Sequence, residues 1–175
     1  KLISAIDAFG VDPNQRVCAD LGASTGGFTE VLLKKGAVCV YAIDVGRGQL
    51  HYRLRDDPRI VNMEGVNARH LQSLPTQPSL IVGDLSFISL SMILPTVDRL
   101  LSAPGDAVLL VKPQFEVGKS QIRKGRVTDA VARQKAIDNI KELAVHQGFS
   151  VLSGRDSEVA GAKKGNVEYF LHLHR

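Results

Sequence analysis

Val38 to Ile43 reads Val-Cys-Val-Tyr-Ala-Ile, a run of apolar residues without polar alternation. A strand of that kind must be covered on both faces, which restricts it to the interior of a mostly parallel sheet flanked by helices. Comparable runs recur at Val17 to Leu21, Ser79 to Asp84 and Ala107 to Val111, with a shorter one at Arg59 to Met63. Between them, helical spacing appears at Leu2 to Phe9, Phe28 to Lys35, Ser91 to Leu101 and Asp129 to Gln147, and Gly36 and Gly148 supply stops. This alternation predicts βαβ units. The chain closes with Ser150 to Arg155 and Val167 to Leu173, joined through Gly161, Lys163, Lys164 and Gly165 with no helix between them. Strands linked in that way pair antiparallel. The expected fold is α/β: a Rossmann-like, mostly parallel sheet with one antiparallel strand near the C-terminus and helices on both faces. With 175 residues, 44% of them hydrophobic, the chain builds one sizeable core, so residues 1–175 are read as one domain.

Several function classes are disfavoured. No uncharged apolar run reaches the about 18 residues a membrane span needs, and Lys1 to Gly10 lacks the apolar core of a secretory signal. The nearest approach, Leu80 to Leu94, is interrupted by Asp84 and diluted by serines. A cytoplasmic chain without a membrane partner is expected, and nothing in the sequence calls for an obligate protein partner. The cysteines, Cys18 and Cys39, are too few for a metal cluster or a disulfide framework, and their apolar surroundings predict buried free thiols. No metal site is expected. The net charge is only +4, yet Lys119, Arg123, Lys124, Arg126, Arg133 and Lys135 crowd one stretch against Asp129 alone. Such clustering fits a polyanionic partner, or simply a solvated loop and helix face.

The most informative segment runs from Val17 to Phe28, where an apolar strand passes into a turn of small residues and then a helix. Ligands of open α/β sheets bind at the carboxyl ends of strands, so Asp20, Gly22, Ala23, Ser24, Thr25, Gly26, Gly27 and Phe28 are candidate cofactor contacts. A dinucleotide phosphate loop would want G-x-G-x-x-G, whereas here Asp20 precedes Gly22 and then Gly26-Gly27 follow. An acid ahead of the turn suits a ligand with ammonium and sulfonium centres better than one with phosphates. The second strand ends at Asp44, followed by Val45, where a carboxylate meets the hydroxyls of an adenosine ribose. Asn67, after the third run, is placed either to pair with the adenine edge or to form a turn.

Three charges fall where strand ends converge. Asp84 follows Leu80-Ile81-Val82-Gly83, Lys112 follows Leu109-Leu110-Val111, and Glu168 opens the last predicted strand. Pro113 cannot continue a sheet ladder, so Lys112 is expected at a strand tip. Charges in such places are seldom buried unless paired or functional.

These residues fall in an ordered set of motifs: Asp20-Leu-Gly-Ala-Ser-Thr-Gly-Gly-Phe28, Gly83-Asp-Leu-Ser-Phe-Ile-Ser89, Val111-Lys-Pro-Gln-Phe-Glu-Val-Gly118 and Gly165-Asn-Val-Glu-Tyr-Phe170. In all four the chain resembles the TlyA, or hemolysin A, group of FtsJ-like RNA 2′-O-methyltransferases. The resemblance implies a class I methyltransferase fold, S-adenosyl-L-methionine as cofactor, and a ribose 2′-hydroxyl as acceptor, with a cytidine in ribosomal RNA as the usual target. It implies a Lys-Asp-Lys-Glu tetrad, carried over to Lys1, Asp84, Lys112 and Glu168. Family members also carry a small RNA-binding domain ahead of this one, which the present sequence does not include.

In such a reaction Lys112 either accepts the hydroxyl proton or stays charged and stabilises the developing alkoxide. The first role requires a neutral amine, and lowering a lysine pKa from about 10.4 to about 7 takes roughly 4 to 5 kcal/mol. Base-amine methylation is disfavoured because Asp84-Leu85-Ser86-Phe87 stands where an Asn-Pro-Pro-aromatic turn would be. Covalent base-carbon chemistry would need a reactive cysteine near the pocket, and Cys18 and Cys39 point to strand interiors. Lys119, Arg123, Lys124 and Arg126 follow Lys112 closely and are expected to meet RNA phosphates, with Phe115 either stacking on a base or joining the core. Two rival readings are a hemolysin-like membrane-active protein and a non-catalytic RNA-binding module that keeps the fold.

Overall fold

The computed structural model describes residues 1–159 and 165–175. Gly161, Lys163 and Lys164 of the predicted link lie outside the described residues. Strands Val17–Leu21 (β1), Cys39–Asp44 (β2), Ile60–Glu64 (β3), Leu80–Gly83 (β4), Asp106–Val111 (β5), Ser150–Asp156 (β6) and Tyr169–His174 (β7) form one sheet in the order β3-β2-β1-β4-β5-β7-β6. β3, β2, β1, β4 and β5 run parallel; β7 is antiparallel to both β5 and β6. The reversed strand is therefore next to the edge, as expected.

The unbroken apolar runs are explained by cores on both faces. Along β5, Ala107, Leu109 and Val111 enter one cluster while Val108 and Leu110 enter the other. The helices Leu2–Phe9 (α1) and Gly27–Lys34 (α2) cover the face with Cys18, Val40, Leu80 and Phe170. Leu94–Leu100, here α4, and Ala130–His146, here α6, cover the opposite face through Leu94, Val97, Ile137 and Ile140. Asp129 caps α6 by accepting from Val131 N at 2.8 Å, and Gly148 ends the connection with φ +89°. Two short helices were not anticipated, Tyr52–Arg55 (α3) and Pro113–Glu116 (α5).

Three boundaries differ from expectation. The helix foreseen from Ser91 to Leu101 is a 3-10 turn at Leu90–Met92 followed by α4, whose early Pro95 lacks an N–H to continue the preceding turn. The last strand begins at Tyr169 rather than Val167, because its partner β5 stops at Val111, paired with Tyr169. Glu168 therefore precedes the strand instead of opening it. Cys18 is buried and its thiol is pushed up to about 12 by that burial, whereas Cys39 is only half-buried; both are free.

Candidate active site

Because the strands from β1 to β5 are parallel, their carboxyl tips share one edge of the sheet. The turn after β1 crosses that edge closely over β4. A Cβ on Gly22, whose φ is +85°, would lie 3.0 Å from the Asp84 carbonyl oxygen and 3.2 Å from Leu85 Cα, so only glycine passes there without parting two strand tips. Gly22 N and Ala23 N donate to the Ile43 carbonyl at 2.9 and 3.1 Å, tying the turn to β2. Asp44, at the tip of β2, is fixed by Ser24 N at 2.8 Å on one carboxylate oxygen and Gly46 N at 2.7 Å on the other.

Two adjoining cavities open along this edge, of about 650 and 760 Å³, and they share Gly22, Ser24, Asp84, Ser86 and Phe87. Ala23, Thr25, Gly27 and Phe28 line the first; Asp44, Val45 and Asn67 line the second. Asn67 Oδ1 is already engaged by Arg69 N at 3.1 Å, so the turn-forming role and the place on the cavity wall coincide. Two expected contacts reach neither cavity. Asp20 is buried beneath the turn, where Oδ2 accepts from Thr29 Oγ1 at 2.7 Å and Oδ1 has no partner. Burial raises its carboxyl to about 7 against the opposing hydrogen bonds from Thr29. Gly26 turns away as well: a Cβ there would stand 2.3 Å from Leu54 Cδ1, so its lack of a side chain serves packing against α3.

Lys1, Asp84, Lys112 and Glu168 all line the first cavity. Asp84 and Lys112 come from the adjacent tips of β4 and β5, and Lys112 Nζ lies 2.6 Å from Asp84 Oδ1 while donating to Ser86 Oγ at 2.8 Å. Lys1, at the start of α1, donates to Glu168 Oε2 at 2.7 Å. The Lys112 and Glu168 side chains are 9% and 4% exposed, so each charge depends on its partner rather than on water.

The basic stretch divides. Arg123 and Arg126 pair backbone to backbone across Lys124-Gly125, and Lys119, Arg123, Lys124 and Arg126 are exposed while Ile122 and Gly125 line the first cavity. Arg133 does not belong to this group: it pairs with Asp156 and donates to the Val167 carbonyl. Phe115 is half-buried on the cavity wall, 5.4 Å from the exposed ring of Phe87.

Residues that single-position reading missed hold the constellation in place. Ser86 orients Lys112. Buried Asn166 accepts from Val127 N at 3.1 Å and donates to the Gly125 carbonyl at 2.9 Å, clamping the basic turn against the cleft. Glu116 joins two catalytic-edge loops, accepting from Leu90 N at 2.9 Å and from Ser89 Oγ, with its carboxyl raised by burial. The motifs containing Asn166 and Glu116 were visible in the sequence; their partners lie more than 20 residues away and were not.

The residues present fit S-adenosylmethionine. A Cβ on Gly27 would meet nothing within 4 Å, so that cavity wall leaves room for a ligand, and the Asp44 carboxylate keeps lone pairs for ribose hydroxyls. No group of side chains suited to a metal ion occurs among the described residues, and no helix among them is long and apolar enough to cross a membrane.

The sheet order, the reversed β7 and a cleft over the carboxyl edge define a Rossmann-like methyltransferase domain. A methyltransferase structure from Listeria monocytogenes, described as S-adenosylmethionine dependent, shares the fold at TM-score 0.76 with 15% identity, over 99% of this chain and 96% of its own. The chain belongs to the FtsJ-like methyltransferase family, whose model matches residues 1–175. It is 47% identical over 176 residues to the 16S/23S rRNA (cytidine-2′-O)-methyltransferase TlyA of Mycobacterium tuberculosis, covering 99% of this chain and 65% of that protein. A structure from Streptococcus thermophilus, described as a hemolysin, superposes with TM-score 0.97 at 41% identity, over 100% of this chain and 64% of that one. The chain thus spans about two thirds of the length of these relatives.

Proposed function

We propose that this domain, residues 1–175, transfers a methyl group from S-adenosylmethionine to a ribose 2′-hydroxyl, that of a cytidine in ribosomal RNA, in the cytoplasm. The observation that carries this reading is the meeting of Asp84 and Lys112 at 2.6 Å in a cavity that also holds Lys1 and Glu168 and opens onto the Asp44 pocket. The name of the mycobacterial relative supports the substrate class.

When bound, S-adenosylmethionine supplies a methyl carbon on a sulfonium sulfur, which leaves as a neutral thioether when the ribose oxygen bonds to that carbon. The protein's task is to position, to exclude water and to handle one proton. Asp44 accepts the adenosine hydroxyls, and the turn from Gly22 to Gly27 forms the floor beside it. With one contact to Asp84 and one to Ser86, the Lys112 ammonium retains a hydrogen for the attacking oxygen. It stabilises negative charge on that oxygen as the proton passes to the second Asp84 oxygen and on to water. Glu168 fixes Lys1 in the same cavity, so that the substrate meets two oriented cations rather than mobile ones. Lys119, Arg123, Lys124 and Arg126 hold the flanking phosphates.

The test is a methyl-transfer assay on ribosomal RNA or purified ribosomal subunits with mapping of the ribose methyl. Methylation absent with wild-type chain and restored by no RNA-binding extension refutes the reading and leaves the non-catalytic one. The charged role of Lys112 is tested with Lys112→Arg, expected to retain measurable activity without a steep pH dependence; complete loss with intact folding assigns the proton to a neutral lysine instead.

A further inference from the structure

Most arginines away from the cleft are neutralised. Arg16, Arg59, Arg133, Arg155 and Arg175 each pair with a carboxylate. Among the described residues, Arg47, Arg53, Arg55 and Arg69 form no ion pair with a carboxylate, and all four are exposed; neither do Arg123 and Arg126 of the basic turn, nor Arg99, whose guanidinium donates to the Leu71 carbonyl. From Val45 to Arg55 the chain contains three arginines and His51 but no acid.

This segment is built into the wall of the second cavity, which Val45, Gly46, Gln49 and Arg69 line. It is also held rigidly. The Glu64 carboxylate is already engaged, accepting from Leu50 N at 2.9 Å, from the Asn62 side-chain amide at 3.1 Å and from Gln49 N, and these bonds hold it down at about 2. Arg55 Nε donates to the Leu50 carbonyl at 2.7 Å, and His51 N donates to the Thr25 carbonyl at 3.1 Å, locking the segment to the turn after β1. Tyr52, 63% exposed, stands between the His51 ring at 4.5 Å and the Arg53 guanidinium at 5.7 Å. Glu64 is thus engaged elsewhere, and neither Asp44 nor Asp56, which flank the segment, forms an ion pair with these arginines, whose side chains are exposed. The Arg123–Arg126 turn borders the other cavity, so basic surface flanks the cleft at both ends.

We propose that Arg47, Arg53, Arg55 and Arg69 form a second RNA-backbone contact surface, on the adenosine side of the cleft, so that the strand carrying the target nucleotide lies across both basic segments. This rests on RNA being the substrate. A single strand anchored on both sides of the reacting hydroxyl has fewer orientations than one held at a single flank, and exposed Tyr52 and His51 offer rings for a neighbouring base.

The experiment measures binding of a labelled single-stranded RNA to the chain against salt concentration. Each phosphate contact contributes about 0.7 to the slope of log K on log salt for single strands, so Arg47→Glu/Arg53→Glu is expected to flatten the slope by about 1.4. S-adenosylhomocysteine affinity, measured in parallel, reports folding and cavity integrity. Lys34→Glu/Lys35→Glu changes net charge equally on the far end of α2 and is expected to leave the slope unaltered. Arg53→Gln, which loses only its contacts with Tyr52, should flatten it by about 0.7 and provides the readout if the double variant does not fold. An unchanged slope in Arg53→Gln or in the folded double variant, or an equal loss in the Lys34/Lys35 control, overturns the proposal. If Arg123→Glu/Lys124→Glu flattens the slope while Arg47→Glu/Arg53→Glu does not, only this inference fails; if neither does, the RNA reading fails with it.

Discussion

The Asp84–Lys112 pair gives the sharpest quantitative expectation, obtained from Asp84→Asn, Lys112→Met and the double variant. At 2.6 Å and an effective dielectric of about 20, the gross attraction is about 6 kcal/mol. Desolvation offsets much of this, and Asp84 is 27% exposed, so solvent takes up part of the loss when one partner goes. Asp84→Asn leaves the Lys112 ammonium 9% exposed with Ser86 as its remaining partner, and a destabilisation of about 3 kcal/mol is expected. For a chain of this size that is a fall in Tm of about 6 to 12 °C. Lys112→Met costs less, because a partly exposed Asp84 recovers hydration. The double variant should recover part of the combined loss, a coupling of about 1 to 3 kcal/mol by urea unfolding, while methyl transfer is lost in all three. Strict additivity, with coupling below about 0.5 kcal/mol, would refute the pairing on which the mechanism depends.

Further expectations concern the turn, the basic loop and the buried acid. Gly22→Ala forces a side chain to φ +85° and to within 3.0 Å of the Asp84 carbonyl, so S-adenosylhomocysteine affinity should fall at least tenfold in calorimetry, and an unchanged affinity would contradict the close crossing. Asn166→Ala removes both bonds to the basic turn and should raise KM for RNA several-fold with cofactor affinity retained, while Asn166→Asp, keeping the acceptor for Val127 N, should be milder; equal effects on both ligands would argue for general damage instead. Asp20 has a folded pKa raised from 3.8 to about 7, so its contribution to stability is complete below about 4 and is lost as pH rises through 7. Asp20→Asn should therefore flatten the stability profile between pH 4 and 7 in thermal melts, and a profile identical to wild type would show that Asp20 does not titrate there.

The fold was legible because burial on both faces of a parallel strand leaves an unbroken apolar run. Val17–Leu21 begins and ends where the run does, and Ala107, Leu109 and Val111 alternating with Val108 and Leu110 between two cores explains why no polar residue interrupts it. Boundaries were less legible where pairing rather than propensity decides, as at Val167, whose neighbour Glu168 is outside the ladder because β5 has already ended. Within the cleft, strand tips were readable from single charges that interrupt apolar runs, Asp84 and Lys112 foremost. Asp20 misled because an acid beside a glycine turn reads as ligand-facing, yet β1 alternation turns its side chain under the turn toward Thr29.

By itself the sequence determined the two-sided apolar pattern, and with it a parallel sheet whose carboxyl tips must gather the loops bearing Gly22, Asp44, Asp84 and Lys112. Only the tertiary structure decided which charges neutralise one another: Lys1 with Glu168, 167 positions apart, Arg133 with Asp156, and, among the described residues, no ion pair for the arginines of 47–55. The physical reason is range. Hydrophobic periodicity is written in neighbouring residues, whereas an ion pair depends on a few ångströms between groups that the chain brings together only after the sheet has closed.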